Sequence, residues 1–284
     1  AEYSRPELKW AQSSFLQPLM MVHDRYLYDP VASQYTVDRY LDDLEQRFGG
    51  IDSVVVWHDY PNLGIDDRNQ YDMLRDMPGG IGGLRQMVAD FHRRGVKVLF
   101  PVKPWDQGTR DEGAPLWEAS ARLVAEIGAD GIFGDTLDGL PRAFRIAADQ
   151  TGRPLVLEPE GGPADEALAW NNMSWGYCEY SFVPTVSRYK WLEPRHMVHL
   201  SRRWARDKTD DLQHAFFNGI GYECWENIFG IWNEITPRDA EALRRIARIE
   251  RTFADLLVSP DWEPHTPTLQ YLSLIHISEP TRPY

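Results

Sequence analysis

The stretch Leu84-Arg-Gln-Met-Val-Ala-Asp-Phe-His-Arg-Arg-Gly-Val-Lys-Val-Leu-Phe-Pro-Val102 holds a complete helix-to-strand transition. Leu84, Met87, Val88 and Phe91 fall three and four residues apart, which places them on one face of an amphipathic helix. Gly95 supplies the left-handed residue on which helices commonly end. Val96 to Val102 is then almost continuously apolar, as a strand buried on both faces should be.

The same unit recurs on either side. Upstream lie the run Pro18-Leu-Met-Met-Val22, then a helix with the stripe Val37, Tyr40, Leu41, Leu44 and Phe48, then the run Ser53-Val-Val-Val-Trp57. Thr36 is placed to cap that helix and Gly49-Gly50 to end it. Downstream, a helix through Trp117, Leu123, Val124 and Ile127 ends at Gly128 and leads to Gly131-Ile-Phe-Gly-Asp135. Pro154-Leu-Val-Leu-Glu158, Ser174-Trp-Gly-Tyr-Cys-Glu179, His196 to Arg202 and Gly221 to Glu226 follow. A last helix starts at Thr236-Pro237 and carries Leu243, Ile246, Ile249, Phe253 and Leu256. Eight short apolar runs with helices between them predict an α/β fold, a (β/α)8 TIM barrel over residues 18–258. Residues 1–17 read as a lead-in and 259–271 as a linker toward a C-terminal β-domain that this chain lacks. Leu272 to Tyr284 (LSLIHISEPTRPY) resembles a translated sequencing adapter and is set aside from the fold.

Composition narrows the function. Lys and Arg number 30 against 43 Asp and Glu, a formal charge of −13, which argues against phosphate-backbone binding and so against nucleic acid. No apolar run reaches the roughly 20 residues of a membrane span. Two cysteines, Cys178 and Cys224, are too few for a disulfide scaffold or a paired-cysteine metal site, and they leave the compartment open. Gly79-Gly-Ile-Gly-Gly83 lacks the Lys-Ser/Thr of a phosphate loop and reads as the start of a helix; nothing calls for a cofactor.

Barrel enzymes work at the C-terminal ends of their strands. Here those ends carry Asp24, Asp59, Lys103, Asp135, Glu158, Glu160, Glu179, Glu223 and Glu226, interleaved with Trp57, Trp105, Trp175, Tyr177 and Trp225. Carboxylates accept hydrogen bonds from sugar hydroxyls and aromatic rings stack on sugar faces, so the pattern points to a carbohydrate substrate. Asp135 is the candidate nucleophile, with Gly134 before it to admit the substrate to the backbone. Its partner acid is Glu179 or Glu160. Asp24, Trp57, His58, Asp59, Lys103, Trp105, Glu158, Trp175, Trp225 and Glu226 are the candidate binding residues. A second reading is a carbohydrate-binding barrel without catalysis. A third is a metal-dependent hydrolase in which His23, Asp24, His58 and Asp59 hold the ion.

Three segments carry a resemblance to a known family: Val55-Val-Trp-His-Asp59, Leu84 to Val98, and Ala129-Asp-Gly-Ile-Phe-Gly-Asp135. Together they resemble the glycoside hydrolase barrels of the α-galactosidase (melibiase-like) clan, with Phe133-Gly-Asp135 where those enzymes usually show Lys-x-Asp. The resemblance implies a two-carboxylate glycosidase acting on an α-linked sugar, with Asp135 as nucleophile and Glu179 in the acid/base position.

Overall fold

The computed structural model describes residues 2–59, 64–106, 112–177 and 185–261. Its strands are β1 (Leu16–Met21), β2 (Tyr28–Asp29), β3 (Gln34–Tyr35), β4 (Ser53–Trp57), β5 (Lys97–Val102), β6 (Gly131–Gly134), β7 (Val156–Pro159), β8 (Met173–Tyr177), β9 (Met197–Ser201) and β10 (Gly221–Cys224). The short pair β2–β3 is an antiparallel hairpin after β1. The other eight form one parallel sheet in the order β7-β6-β5-β4-β1-β10-β9-β8, which is sequence order wrapped into a cylinder. All eight sequence runs are strands, within two or three residues at each end. The Glu179 end of the sixth run lies outside the described residues.

Helices α1 (Val37–Phe48), α2 (Gln70–Arg75), α3 (Gly80–Arg93), α4 (Leu116–Ile127), α5 (Arg142–Gln150), α6 (Thr185–Leu192), α7 (Thr209–Asn218), α8 (Glu226–Phe229), α9 (Pro237–Thr252) and α10 (Ala254–Leu257) complete the described elements. Alternation along each strand separates two apolar layers. Outward residues such as Val54, Val56, Val98, Phe100, Ile132 and Leu157 pack on the helix stripes foreseen around Leu44, Phe91 and Val124. Inward residues Leu19, Val55, Leu99, Phe133, Val156, Met173 and Met197 fill the cylinder.

Several local readings need amendment. Thr36 precedes α1 but does not cap it, because its hydroxyl donates to the Tyr26 carbonyl at 2.8 Å. Thr236 does cap α9, accepting from the Asp239 N–H at 3.2 Å. On that helix Leu243 is buried and Ile249 is exposed; the helix ends at Thr252, so Phe253 and Leu256, also exposed, lie beyond it, Leu256 on α10. Residues 1–17 are more than a lead-in: a 3-10 segment, Pro6–Ser13, puts Leu8 and Ala11 with Phe15 into the interior layer.

Among the described residues, the ring closes without a ladder between β7 and β8. Asn172, just before β8, bridges them: its N–H donates to the Leu157 carbonyl at 3.0 Å, and its Oδ1 accepts from the Leu157 N–H at 3.4 Å. Asn172→Leu keeps the volume but removes the acceptor. It is expected to lower stability by about 1–3 kcal/mol, the penalty for an orphaned buried N–H, read as a shift in the urea midpoint with an unchanged slope. An unshifted midpoint would show that the seam does not depend on this bond.

Candidate active site

The four strand-end acids Asp24, Asp59, Asp135 and Glu160 follow the C-terminal ends of β1, β4, β6 and β7, so they share the mouth of the barrel. Only two of them meet. Asp135 is almost buried and adjoins Glu160, whose Oε2 accepts from the N–H of Thr136, the residue after Asp135. Burial, followed by the hydrogen bond and charge of Glu160, pushes the Asp135 carboxyl up to about 7, against the smaller opposing pulls of Lys103 and Trp105. The Trp105 indole N–H donates to Asp135 Oδ2 at 3.0 Å. Asp135 does not cap the next helix, because α5 begins only at Arg142.

Glu160 is held far more heavily. The Tyr177 hydroxyl donates to its Oε1, and the Thr136 N–H to its Oε2 at 2.7 Å. The Arg203 guanidinium lies 3.5 Å from Oε1 and also donates to the Tyr177 oxygen at 2.7 Å. Burial and the Glu160 charge raise the Tyr177 phenol, so it keeps its proton and serves as a donor. Glu160 thus has three partners and Asp135 one, and it is Asp135 whose carboxyl is raised. Thr136 reaches Glu160 because its backbone is left-handed (φ +59°), an unusual state for a β-branched residue. Such strain costs on the order of 1–3 kcal/mol and clusters at functional sites.

The glycine before Asp135 serves packing instead of substrate access. A Cβ on Gly134 would stand 3.0 Å from Leu140 Cδ1 and 3.1 Å from Leu137 Cδ1.

Beneath the carboxyl pair is an aromatic layer. Phe133 and Trp175 lie 4.2 Å apart by ring centroid, Trp175 and Trp225 4.9 Å, and Trp57 and Phe133 6.0 Å. Trp57, Trp175 and Trp225 are therefore buried as the floor of the mouth. Trp105, about half exposed, stands on the rim. Inside the cylinder, Glu158 bonds His199 Nδ1 at 2.5 Å, and His199 Nε2 faces the Ser14 carbonyl at 2.7 Å. Glu158 is fully buried, in register with Phe133 on the neighbouring strand, and is held by His199. Glu223 shares this interior, where burial and then the charge of Glu158 raise its carboxyl far above the ordinary range.

His58 and Asp59 are committed to internal partners. Asn69 starts α2 with a capping box, accepting from the Tyr71 and Asp72 N–H groups, and so fixes Gln70. The Gln70 side chain then clamps the Lys103 backbone, accepting at 2.8 Å and donating at 2.7 Å, while its carbonyl meets His58 Nε2 at 3.0 Å. Burial and the Lys103 charge push His58 down to about 4, so it is neutral. The Lys103 ammonium lies 2.9 Å from Asp59 and 4.3 Å from the centre of the Trp57 ring, with both charged side chains fully buried. Asp24 accepts from the Tyr26 N–H at 2.8 Å in a turn, and His23 is exposed. Among the described residues, no three His, Cys, Asp or Glu converge as ion ligands. The metal reading thus finds His58 and Asp59 already engaged. Glu226 lies apart from the pair, in a two-pronged ion pair with Arg47 at 2.6 and 2.8 Å along a cleft between α1 and α9. Glu179 lies outside the described residues.

Sequence reasoning missed Arg203, Gln70 and the role of Thr136. Arg203 carried a usable signal: it is a cation just past a strand end, on a mouth otherwise rich in carboxylates.

No family model matches the sequence, and no curated protein does. Solved structures do share its fold. The GH27 β-L-arabinopyranosidase of Geobacillus stearothermophilus superposes with a TM-score of 0.56 at 14% identity, over 87% of this chain and 78% of that one. The maltogenic α-amylase AmyB of Thermotoga neapolitana gives 0.55 at 13%, over 88% and 79%. The α-galactosidase I of Mortierella vinacea gives 0.53 at 12%, over 89% and 75%. The fold of this chain is the TIM barrel found in these glycoside hydrolases.

Proposed function

We propose that the protein is a glycosidase that hydrolyses an α-linked sugar by a two-carboxylate, retaining mechanism. The observation that carries this reading is the adjacent Asp135–Glu160 carboxyl pair, the first of them raised, at the barrel mouth beside an aromatic layer. Likeness to structures whose names include an arabinopyranosidase, an amylase and a galactosidase supports the substrate class. Asp135 in its ionised form attacks the anomeric carbon, while Glu179 protonates the departing oxygen. Glu179 then activates water against the glycosyl-enzyme intermediate, and the sugar leaves with retained configuration. Glu160, held in place by its donors, accepts a sugar hydroxyl and tunes Asp135. Trp105 orients Asp135 and offers its exposed ring to the sugar. With His58 and Asp59 held by Gln70 and Lys103, the metal-dependent alternative has no observation in its favour; the non-catalytic binder is retained as an outcome of the test.

The test is hydrolysis of a panel of aryl α-glycosides across pH. Because the nucleophile must be ionised, kcat/KM should rise as pH rises through about 7 and level off above it. Glu160→Gln removes the anionic neighbour and should move that rise down by about one pH unit. The titration belongs to the pair, so a rise that stays in place in Glu160→Gln would dissociate Glu160 from Asp135. Sugar binding without hydrolysis of any glycoside would establish the binder.

A further inference from the structure

Three described non-glycine residues have left-handed backbones: Ser33, in the β2–β3 turn, and Thr136 and Trp204. The last two each sit next to a residue of the carboxyl cluster. Trp204 follows Arg203, which touches Glu160 and Tyr177 and lies over the Trp225 ring at 4.8 Å. A bulky side chain at φ +64° is a true outlier, because its Cβ crowds the neighbouring carbonyl. The Trp204 N–H is held in place by Asn233 Oδ1 at 2.7 Å, and Asn233 is itself buried. The indole gains no compensating burial: 61% of Trp204 is exposed, more than Trp105 at 48% or Tyr177 at 38%. These three aromatic residues belong to the loops or ends of β9, β5 and β8, all at the mouth.

We propose that Trp204 is a stacking platform for a sugar ring beyond the scissile bond, so that the site prefers an oligosaccharide to a single sugar with a small leaving group. This rests on the glycosidase reading. The indole offers a flat apolar face to the apolar face of a pyranose, next to the polar cluster that would bind its hydroxyls. The backbone, held at the Trp204 N–H by Asn233, fixes where the side chain leaves the loop, which lowers part of the ordering penalty on binding.

The experiment compares the native chain with Trp204→Ala, Trp204→Phe and Trp204→Gly. Affinities for maltotetraose, isomaltotetraose and α-1,6-galactotriose, and for glucose and galactose, are read by calorimetry on an Asp135→Asn background; kcat/KM for aryl α-glycosides is read separately. Trp204→Ala should weaken the best oligosaccharide at least about tenfold and the single sugars less than about twofold. Trp204→Phe should recover most of the loss. Trp204→Gly should bind as poorly as Trp204→Ala, yet lower Tm by less than about 2 °C, because glycine relieves the backbone. Unchanged oligosaccharide affinity, or equal losses for single sugars and oligosaccharides, would overturn the platform; persisting aryl glycoside hydrolysis would then leave the glycosidase reading standing. A native chain that neither binds nor hydrolyses any probe would overturn both.

Discussion

Asp135→Asn should reduce kcat on an aryl α-glycoside by on the order of 10⁴-fold, with KM changed far less. The amide retains the size of the carboxylate and can still accept the Trp105 N–H, now 3.0 Å from Asp135 Oδ2. It cannot form the glycosyl ester. Folding should be unharmed, because the native carboxyl is burdened by burial and by its Glu160 neighbour, and an amide escapes both. Loss of activity with an equal or higher Tm is therefore the expected signature. The acid/base is separated in the same assay. Glu179→Ala should spare activated aryl leaving groups and damage poor ones, and azide should restore part of the second step; Glu160→Ala should show neither effect. If Glu160→Ala alone shows the leaving-group dependence, the acid/base role moves to Glu160. Full activity in Asp135→Asn would remove the retaining mechanism.

The largest stability effect is expected at Lys103. Lys103→Met strands the fully buried Asp59 without its cation, which should lower stability by about 3–5 kcal/mol near neutral pH. A pH series of denaturant curves checks the cause. An unpaired buried carboxyl is costly only while it carries its charge. The deficit should therefore be smaller in acid and grow toward neutral pH. Lys103→Met with Asp59→Leu should recover most of the loss, since apolar replacement of a whole buried pair is often neutral. A deficit that is flat with pH would mean lost packing on Trp57 instead of a stranded charge.

The barrel was legible because its evidence is local and repeated. Ser53–Trp57 and Lys97–Val102 are apolar on both faces, and Leu84, Met87, Val88 and Phe91 form a stripe that needs no tertiary information. Asp135 and Glu160 were legible as strand-end acids. Their contact was not, since it depends on a left-handed Thr136 and on Tyr177 and Arg203, more than sixty residues of chain brought together only by closure of the ring. Depth was the other illegible quantity. Trp57, Trp175, Trp225 and Glu158 have the right residue types for a sugar site, but the pleat of each position turns them into the buried interior, where Glu158 is taken by His199.

The seam between β7 and β8 gives the molecule a direction of mechanical compliance. Elsewhere the cylinder can widen only by breaking parallel ladders; here it is stitched by the two bonds of Asn172. Glu160 and Tyr177 stand on the two lips of this slit, at the ends of β7 and β8, and bond across it. Parting the lips would draw the phenol away from the carboxylate. The width of the slit and the hydrogen bonding of Glu160 are thus one coordinate.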